Sequence, residues 1–145
     1  SIMGFILLGY VLINGGQLNG PIVGSIIGAM SFGAFGNQVK NTVPVLVGIM
    51  IGCYLTGVDA ASTSALVAAI FGTTLAPVSG YYGPLAGMIA GFVHITLVSH
   101  VVVMHGGLNL YNNGFAGGFV AAVLVPIFEI FEGIRQDIKE RKAEG

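Results

Sequence analysis

The residues best suited to chemistry lie in one polar segment between two apolar runs. Its sequence is His105-Gly106-Gly107-Leu108-Asn109-Leu110-Tyr111-Asn112-Asn113-Gly114. The amides of its asparagines both donate and accept hydrogen bonds, so the segment suits a polar uncharged solute, a hydrated ion or exposed backbone. Because Asn and Gly are also the usual residues of turns, a plain loop between two helices is the alternative interpretation.

A second amide-and-glycine segment lies near the amino terminus. Its sequence is Asn14-Gly15-Gly16-Gln17-Leu18-Asn19-Gly20. The residues from Asn19 to Gly24 align with those from Asn112 to Gly117, and each set leads into a glycine-spaced apolar run. Many transporters and channels build a central pathway from an internal repeat of this kind. Chance similarity in a sequence of low complexity is the alternative, because few positions match.

Three histidines lie in or beside the apolar run from residue 84 to 104. His94 has the deepest position, His100 is nearer the end of the run, and His105 follows it. An ionisable residue at membrane depth predicts a proton relay, a ligand or a pore-lining group, and the plainer alternative is a neutral histidine hydrogen-bonded across a helix interface. Six residues turn a helix through about 240°, so His94 and His100 do not share a face or predict a joint metal site.

Catalytic and cofactor motifs are not convincing in this sequence. The glycines that match phosphate-binding or nucleotide-binding patterns lie in apolar runs without the neighbours that those sites need. The single cysteine, Cys53, has no second cysteine for a disulfide or a metal site. We therefore expect no enzyme, cofactor or metal, and keep an intramembrane enzyme using His94 or His100 as the minority alternative.

The elements that must position these residues are set by an extreme composition. Hydrophobic residues make up 54% of the chain and charged residues only 8%, against roughly 25% in a soluble domain. From Ser1 to Phe128 the only charged residues are Lys40 and Asp59. A net charge of −1 argues against nucleic acid as a partner. The composition predicts an integral membrane protein whose main partner is the lipid bilayer.

Six apolar stretches predict an all-α, polytopic membrane helix bundle. They are Ile2–Ile13, Pro21–Gly36, Val43–Val58, Ser62–Val78, Pro84–Met104 and Gly114–Phe131. A helix needs about twenty residues to cross the hydrocarbon core, so several stretches are short and some are candidates for re-entrant or broken helices. Pro44 is expected at a segment start and Pro77 at a helix end, while Asp59 is expected in a turn or as a helix N-cap.

Glycine spacing predicts close helix packing. The glycines four residues apart are Gly24/Gly28, Gly48/Gly52, Gly83/Gly87/Gly91 and Gly114/Gly118. Each removes a side chain from one helical face, so that a neighbouring helix can approach. Several such pairs in succession favour a compact bundle, and we expect a homo-oligomer or a complex with a companion membrane chain.

The basic residues predict a topology. Lys40 and the four basic residues of the tail are expected in the cytoplasm, and the four candidate spans between them place both on one side. We divide the chain into a transmembrane helical domain, residues 1–131, and a charged cytoplasmic helical tail, residues 132–145, with Glu132 and Arg135 at helical pairing distance. The chain begins inside an apolar run, which is compatible with a piece of a longer polypeptide.

The chain as a whole resembles an uncharacterised bacterial family of multi-spanning membrane proteins, the domain of unknown function 1576. Members of that family contain a His-Gly-Gly-x-Asn-Leu-Tyr-Asn-Asn-Gly-Phe segment, which residues 105–115 match. The resemblance implies a location in the bacterial inner membrane and brings no activity.

A shorter stretch, residues 107–112 followed by Gly117, resembles the Gly-Leu-x-x-Tyr/Phe-Asn pattern of the urea transporter family. That resemblance implies that Leu108, Tyr111 and Asn112 lie near a filter. The chain lacks the doubled length of a complete urea transporter, so a full path would need another copy or another chain.

Three functions are compatible with the sequence. The first is a channel or carrier for a small polar solute, either a urea-like neutral molecule or a small ion. The second is a structural or assembly subunit of a membrane complex, and the third is the intramembrane enzyme named above. For the first, the candidate pathway residues are Asn19, His94, His105, Leu108, Asn109, Tyr111, Asn112 and Asn113.

Overall fold

The fold is known from a computed structural model that describes residues 2–31, 38–101 and 112–143. The regular elements in these ranges are all helical. They are α1 (Ile2–Ile13), α2 (Gly20–Ser31), α3 (Val39–Thr56), α4 (Thr63–Gly72), a 3-10 turn (Thr73–Leu75), α5 (Ala76–Tyr82), α6 (Pro84–Val98) and α7 (Asn112–Ala143). Val39–Thr56, Thr63–Tyr82 and α7 are long and apolar enough to cross a membrane, and α1, α2 and α6 are shorter apolar helices. The predicted all-α membrane bundle is confirmed for this part of the chain.

Close packing of α3 against α6 is the most extensive helix contact in the bundle. A Cβ added at Gly48 would overlap the backbone carbonyl of Met88, and one at Gly91 would overlap the backbone carbonyl of Val45. The two backbones therefore touch where each helix lacks a side chain. The predicted packing role of the Gly48/Gly52 and Gly87/Gly91 spacings is confirmed.

Other glycines of the predicted set do not pack in this way. A Cβ added at Gly24, Gly28 or Gly118 meets no described atom within 4 Å. Gly83 has a φ of +97° and forms the turn between α5 and α6. Spacing alone predicts a bare helical face, and only the tertiary arrangement decides whether another helix covers it.

The stretch from Thr63 to Tyr82 is one span with a break in its middle. Pro77 was expected to end its helix, and that prediction is wrong, because α5 continues to Tyr82. Proline has no N–H to bond the carbonyl of Thr73, and the N–H of Ala76 bonds it instead, which gives the tight 3-10 turn. The expectation that some helices are broken is confirmed here.

Pro44 also differs from its expected place at a helix start. It lies inside α3, which begins at Val39 rather than at Val43. The hydrogen bond that a proline at this position removes would have ended on the carbonyl of Lys40. Lys40 is exposed at the end of the helix, where water can take that bond, so the cost of an interior proline is small.

A short turn joins α3 to α4 at one end of the bundle. Gly57, with a φ of +71°, ends α3 in the left-handed region that favours glycine. The Asp59 carboxylate accepts a hydrogen bond from the N–H of Ala61 at 2.9 Å, so its predicted turn role is confirmed. The N-cap of α4 is Ser62, whose hydroxyl accepts from the N–H of Ala65 at 3.3 Å.

The basic residues lie at the opposite end of the bundle. Lys40 follows directly on the start of α3, and its neighbour Asn41 contacts Gly80 near the end of α5. The Tyr82 hydroxyl at the end of α5 donates a hydrogen bond to Glu129 in α7 at 3.4 Å. Beyond Glu129, α7 continues without a break to Ala143 and so crosses the expected domain boundary at residue 131. Lys40 and the charged tail therefore lie on the same side of the bundle.

Large apolar side chains cover the outside of the bundle. Those of the last helix include Phe119, Val123, Ile127, Ile130 and Phe131, all of them exposed. Exposed apolar surface on this scale is a liability in water and suits the hydrocarbon core of a bilayer. These helices mark the chain as a membrane protein.

Candidate functional site

A cavity opens where α4 and α7 begin and α6 ends. Its volume is about 670 Å³. Its polar lining comes from Thr63, Ser64, Ser99, Asn112 and Asn113. The side-chain oxygen of Asn113, Oδ1, is buried and has no hydrogen-bond partner in the part of the chain that the structure describes. We call this space the Asn113 cavity.

Described residues of both amide-rich segments lie at or next to this cavity, namely Asn19 of the first segment and Asn112 and Asn113 of the second. Asn19, just before α2, donates from Nδ2 to the Oγ1 of Thr63 at 2.8 Å, and Thr63 lines the cavity. The Oδ1 of Asn19 accepts from the N–H of Ile22 at 3.1 Å and caps α2. Both atoms of the Asn19 amide are therefore bonded within the protein, and its predicted role in a pathway stays a prediction.

Substituting Asn19 by alanine is expected to weaken the fold rather than the site. The change removes a helix cap and a tie between α2 and α4, which costs on the order of 1–2 kcal/mol. The thermal midpoint of the detergent-solubilised protein should fall by several degrees, while Gln17→Ala in the same exposed loop leaves it unchanged. An unaltered midpoint for Asn19→Ala would contradict this structural role.

His94 lies in the interior of the bundle between α6, α4 and α7. It is fully buried, and its Nε2 lies 3.2 Å from the backbone oxygen of Ala68 in α4. Its Nδ1 is buried and has no hydrogen-bond partner among the described residues. His94 thus bonds across a helix interface, as its plainer interpretation expects, and its predicted role in a pathway stays a prediction.

The space beside His94 is bordered by Gly117, which has no side chain, and by the small side chain of Thr74. A Cβ added at Gly117 of α7 would lie 3.9 Å from Nδ1 of His94 and 3.9 Å from Oγ1 of Thr74. These are ordinary contact distances, so the bare backbone of Gly117 leaves room for one small group there. Thr74 belongs to the 3-10 turn that breaks the Thr63–Tyr82 span. The break in the helix and the buried histidine therefore meet at one point.

A second cavity lies beyond this point, towards the end of the bundle that carries Lys40. Its volume is about 390 Å³, and we call it the Glu129 cavity. Thr74, Tyr82, Ala121 and Glu129 are among the residues that line it. Since Thr74 also stands beside His94, the Glu129 cavity reaches the level of the histidine from the side opposite to the Asn113 cavity.

A row of α7 residues four apart runs between the two cavities. Its members, from Asn113 through Gly117, Ala121 and Val125 to Glu129, each border a cavity or the space beside His94. Each step of four residues turns the helix by about 40°, so the row winds about 160° around α7. We call these five positions the α7 track. Its ends are polar and its middle is small and apolar, with the polar groups there supplied by His94 and Thr74. The track is closed by packing at Gly117, which is buried.

Sequence reasoning found some of these residues and missed others. Asn113 and His94 were predicted because polar groups in an apolar sequence stand out. Gly117, Thr74 and Glu129 were not among the predicted site residues. The signal in the sequence that could have identified them is the row of small residues four apart between Asn113 and Glu129, namely Gly117, Ala121 and Val125.

Several predicted site residues lie outside the described part of the chain. They are His105, Leu108, Asn109 and Tyr111. Within the described part, His100 lies beyond the end of α6 and is exposed, while His94 is buried inside the bundle. The same ranges contain no group of three His, Cys, Asp or Glu side chains that could hold a metal ion.

Comparison with known proteins gives a family and no activity. Residues 1–130 match the family described as Protein of unknown function (DUF1576). No curated protein and no solved structure matches the chain. The predicted resemblance of the whole chain is thereby confirmed, and the local resemblance to urea transporters stays a prediction.

Proposed function

Because the chain belongs to the family described as Protein of unknown function (DUF1576), whose description names no activity, we propose a function from its geometry: it conducts a small polar solute across the membrane along the α7 track. The observation that carries this proposal is the buried Nδ1 of His94, which has no hydrogen-bond partner among the described residues and lies between the Asn113 cavity and the Glu129 cavity. A buried polar atom without a partner is costly in a membrane interior, so its retention calls for a use.

The broken span supplies the means of opening the track. Non-helical backbone at membrane depth is tolerated where it lines a cavity, and broken helices mark the binding sites of many transporters. Here the 3-10 turn places Thr74 beside His94 and Gly117. A small separation of α7 from this turn would join the two cavities, and α7 makes only modest contact with α5. We propose that the solute passes at this point.

We further propose the orientation and assembly. Lys40 and the tail lie at one end of the bundle, and by the positive-inside rule that end is cytoplasmic. The Asn113 cavity then faces the opposite side of a bacterial inner membrane. The working unit is a homo-oligomer or includes a companion membrane chain, and cross-linking in native membranes tests this.

The flux of solutes into liposomes tests the proposed function. Purified protein is reconstituted, and stopped-flow light scattering follows the entry of urea, glycerol, ammonium, formate and simple salts. We expect at least one small polar solute to enter clearly faster than into empty liposomes. The same rate with and without protein for every solute would contradict conduction.

The second candidate is an assembly subunit without transport of its own. The observation that favours it is the Gly24/Gly28 face of α2, which no described helix covers and which another chain could use. Cross-linking to a different membrane protein, together with a failure to conduct every solute above, is the result expected from this alternative.

A further inference from the structure

Two hydroxyls that border the track, those of Thr74 and Ser99, have already used their hydrogens inside the protein. The hydroxyl of Thr74 donates to the backbone oxygen of Phe71 at 2.7 Å. The hydroxyl of Ser99, which lines the Asn113 cavity, donates to the backbone oxygen of Ile95 at 3.3 Å. Each hydroxyl oxygen keeps its lone pairs and can only accept a further hydrogen bond.

His94 follows the same rule. Its Nε2 lies 3.2 Å from the backbone oxygen of Ala68, and a carbonyl oxygen only accepts, so Nε2 carries the hydrogen. A charged ring would be costly in this fully buried position. The ring is therefore neutral, and its buried Nδ1 is an acceptor to which no described residue donates.

Both ends of the track also carry acceptors. The amide oxygen of Asn113, Oδ1, is buried and has no hydrogen-bond partner among the described residues. Glu129 at the other end is an acceptor, and it already takes the hydrogen of the Tyr82 hydroxyl. Donors also occur towards the two ends of the track, where the Asn113 amide has N–H groups, the Thr63 hydroxyl accepts from Asn19 and keeps its own hydrogen, and Tyr81 lines the Glu129 cavity. At the middle, Nδ1 of His94 and Oγ1 of Thr74 are acceptors.

The charges point the same way. No Lys or Arg is among the described residues that line the Asn113 cavity or the Glu129 cavity. Arg135 and Lys139 line a different groove, farther along the tail. An anion on the track would therefore meet lone pairs and a carboxylate, without a cation or a hydrogen-bond donor at its centre.

We propose that the α7 track selects small N–H donors, namely a neutral amide or an ammonium-type cation, and excludes anions. This inference rests on the proposed function and adds the chemical class of the solute. A solute that passes His94 donates hydrogen bonds to Nδ1 of His94 and to Oγ1 of Thr74. These two bonds replace hydrogen bonds that the solute made to water outside the track.

The test compares three planar solutes of nearly the same size and shape, so that differences in their flux reflect hydrogen bonding and charge rather than size. Guanidinium donates and is positive, urea donates and is neutral, and nitrate only accepts and is negative. A smaller pair, ammonium and formate, repeats the comparison for a narrower path. Initial fluxes of all five into liposomes that hold the full chain are measured at matched gradients, with potassium and valinomycin present to collapse the membrane potential.

We expect flux of at least one N–H donor, at a rate roughly tenfold or more above that of the anion of matched size, since two hydrogen bonds separate them.

Thr74→Val keeps the side-chain shape and removes an acceptor, and it should lower donor flux severalfold without raising anion flux. His94→Leu should do the same if it folds. Nitrate or formate flux equal to that of the donors, or unchanged selectivity in Thr74→Val, would overturn the inference and leave conduction standing. Absence of flux for all five overturns the proposed function itself.

Discussion

Replacing Gly117 by leucine is expected to reduce solute flux to the level of empty liposomes. A Cβ at this position lies 3.9 Å from both Nδ1 of His94 and Oγ1 of Thr74, and the rest of a leucine side chain would fill the space between them. At this closed point of the track, a solute would find neither space nor access to its two hydrogen-bond acceptors, Nδ1 of His94 and Oγ1 of Thr74. Stopped-flow measurements on liposomes with equal amounts of protein show the loss directly.

The neighbouring glycine provides a matched control. A Cβ at Gly118 meets nothing within 4 Å, so Gly118→Leu adds the same side chain to the same helix without touching the track. Its flux should equal that of the wild type. Gly117→Ala adds a methyl group at ordinary contact distance, so it should fold normally and conduct more slowly. Wild-type flux in both Gly117 variants would contradict the proposal that the solute passes along the α7 track.

Adding one methyl group at Gly48 is expected to destabilise the bundle strongly. The new Cβ would overlap the backbone carbonyl of Met88, which has no flexible atoms to move aside, so α3 and α6 must separate. Overpacking of this kind costs about 1–3 kcal/mol, and contact with backbone places Gly48→Ala at the upper end. The thermal midpoint in detergent should fall by roughly 5–10 °C, as followed by size-exclusion chromatography of heated samples.

The same substitution at Gly24 should act in the opposite direction. Its added Cβ meets no described atom within 4 Å, and alanine is favoured over glycine in a helix by about 1 kcal/mol. The midpoint of Gly24→Ala should be unchanged or slightly higher. Equal effects at Gly24 and Gly48 would show that helix propensity, rather than contact between α3 and α6, determines the result.

The helices were largely predictable because proline and glycine mark their ends. The bounds Ile2–Ile13 for α1 and the start of α6 at Pro84 agree with the sequence prediction. Pro77 misled it, because a proline near the start of a helix and a proline at its end read alike in a single sequence. The hydrogen bond from Ala76 to Thr73 decides between them, and it exists only in the folded backbone.

The site was predictable only in part. Polar residues such as His94 and Asn113 stand out against an apolar background. Periodicity does not show which face of an all-apolar helix meets them, since each face is hydrophobic and lipid and protein are equally apolar partners. Gly117 and Thr74 therefore became visible only when tertiary packing placed them on either side of His94.

Thiol labelling along α7 tests the central claim, that its track is an aqueous path, most directly. Cys53 is buried, so the native chain gives a low background. Ala121→Cys places a thiol in the Glu129 cavity, and Val123→Cys places one on the exposed apolar surface of the same helix. We predict that a water-soluble methanethiosulfonate reagent modifies position 121 in liposomes and stops flux, and that position 123 stays unmodified. An unreactive thiol at 121, or equal reaction at both positions, would contradict an aqueous path along α7.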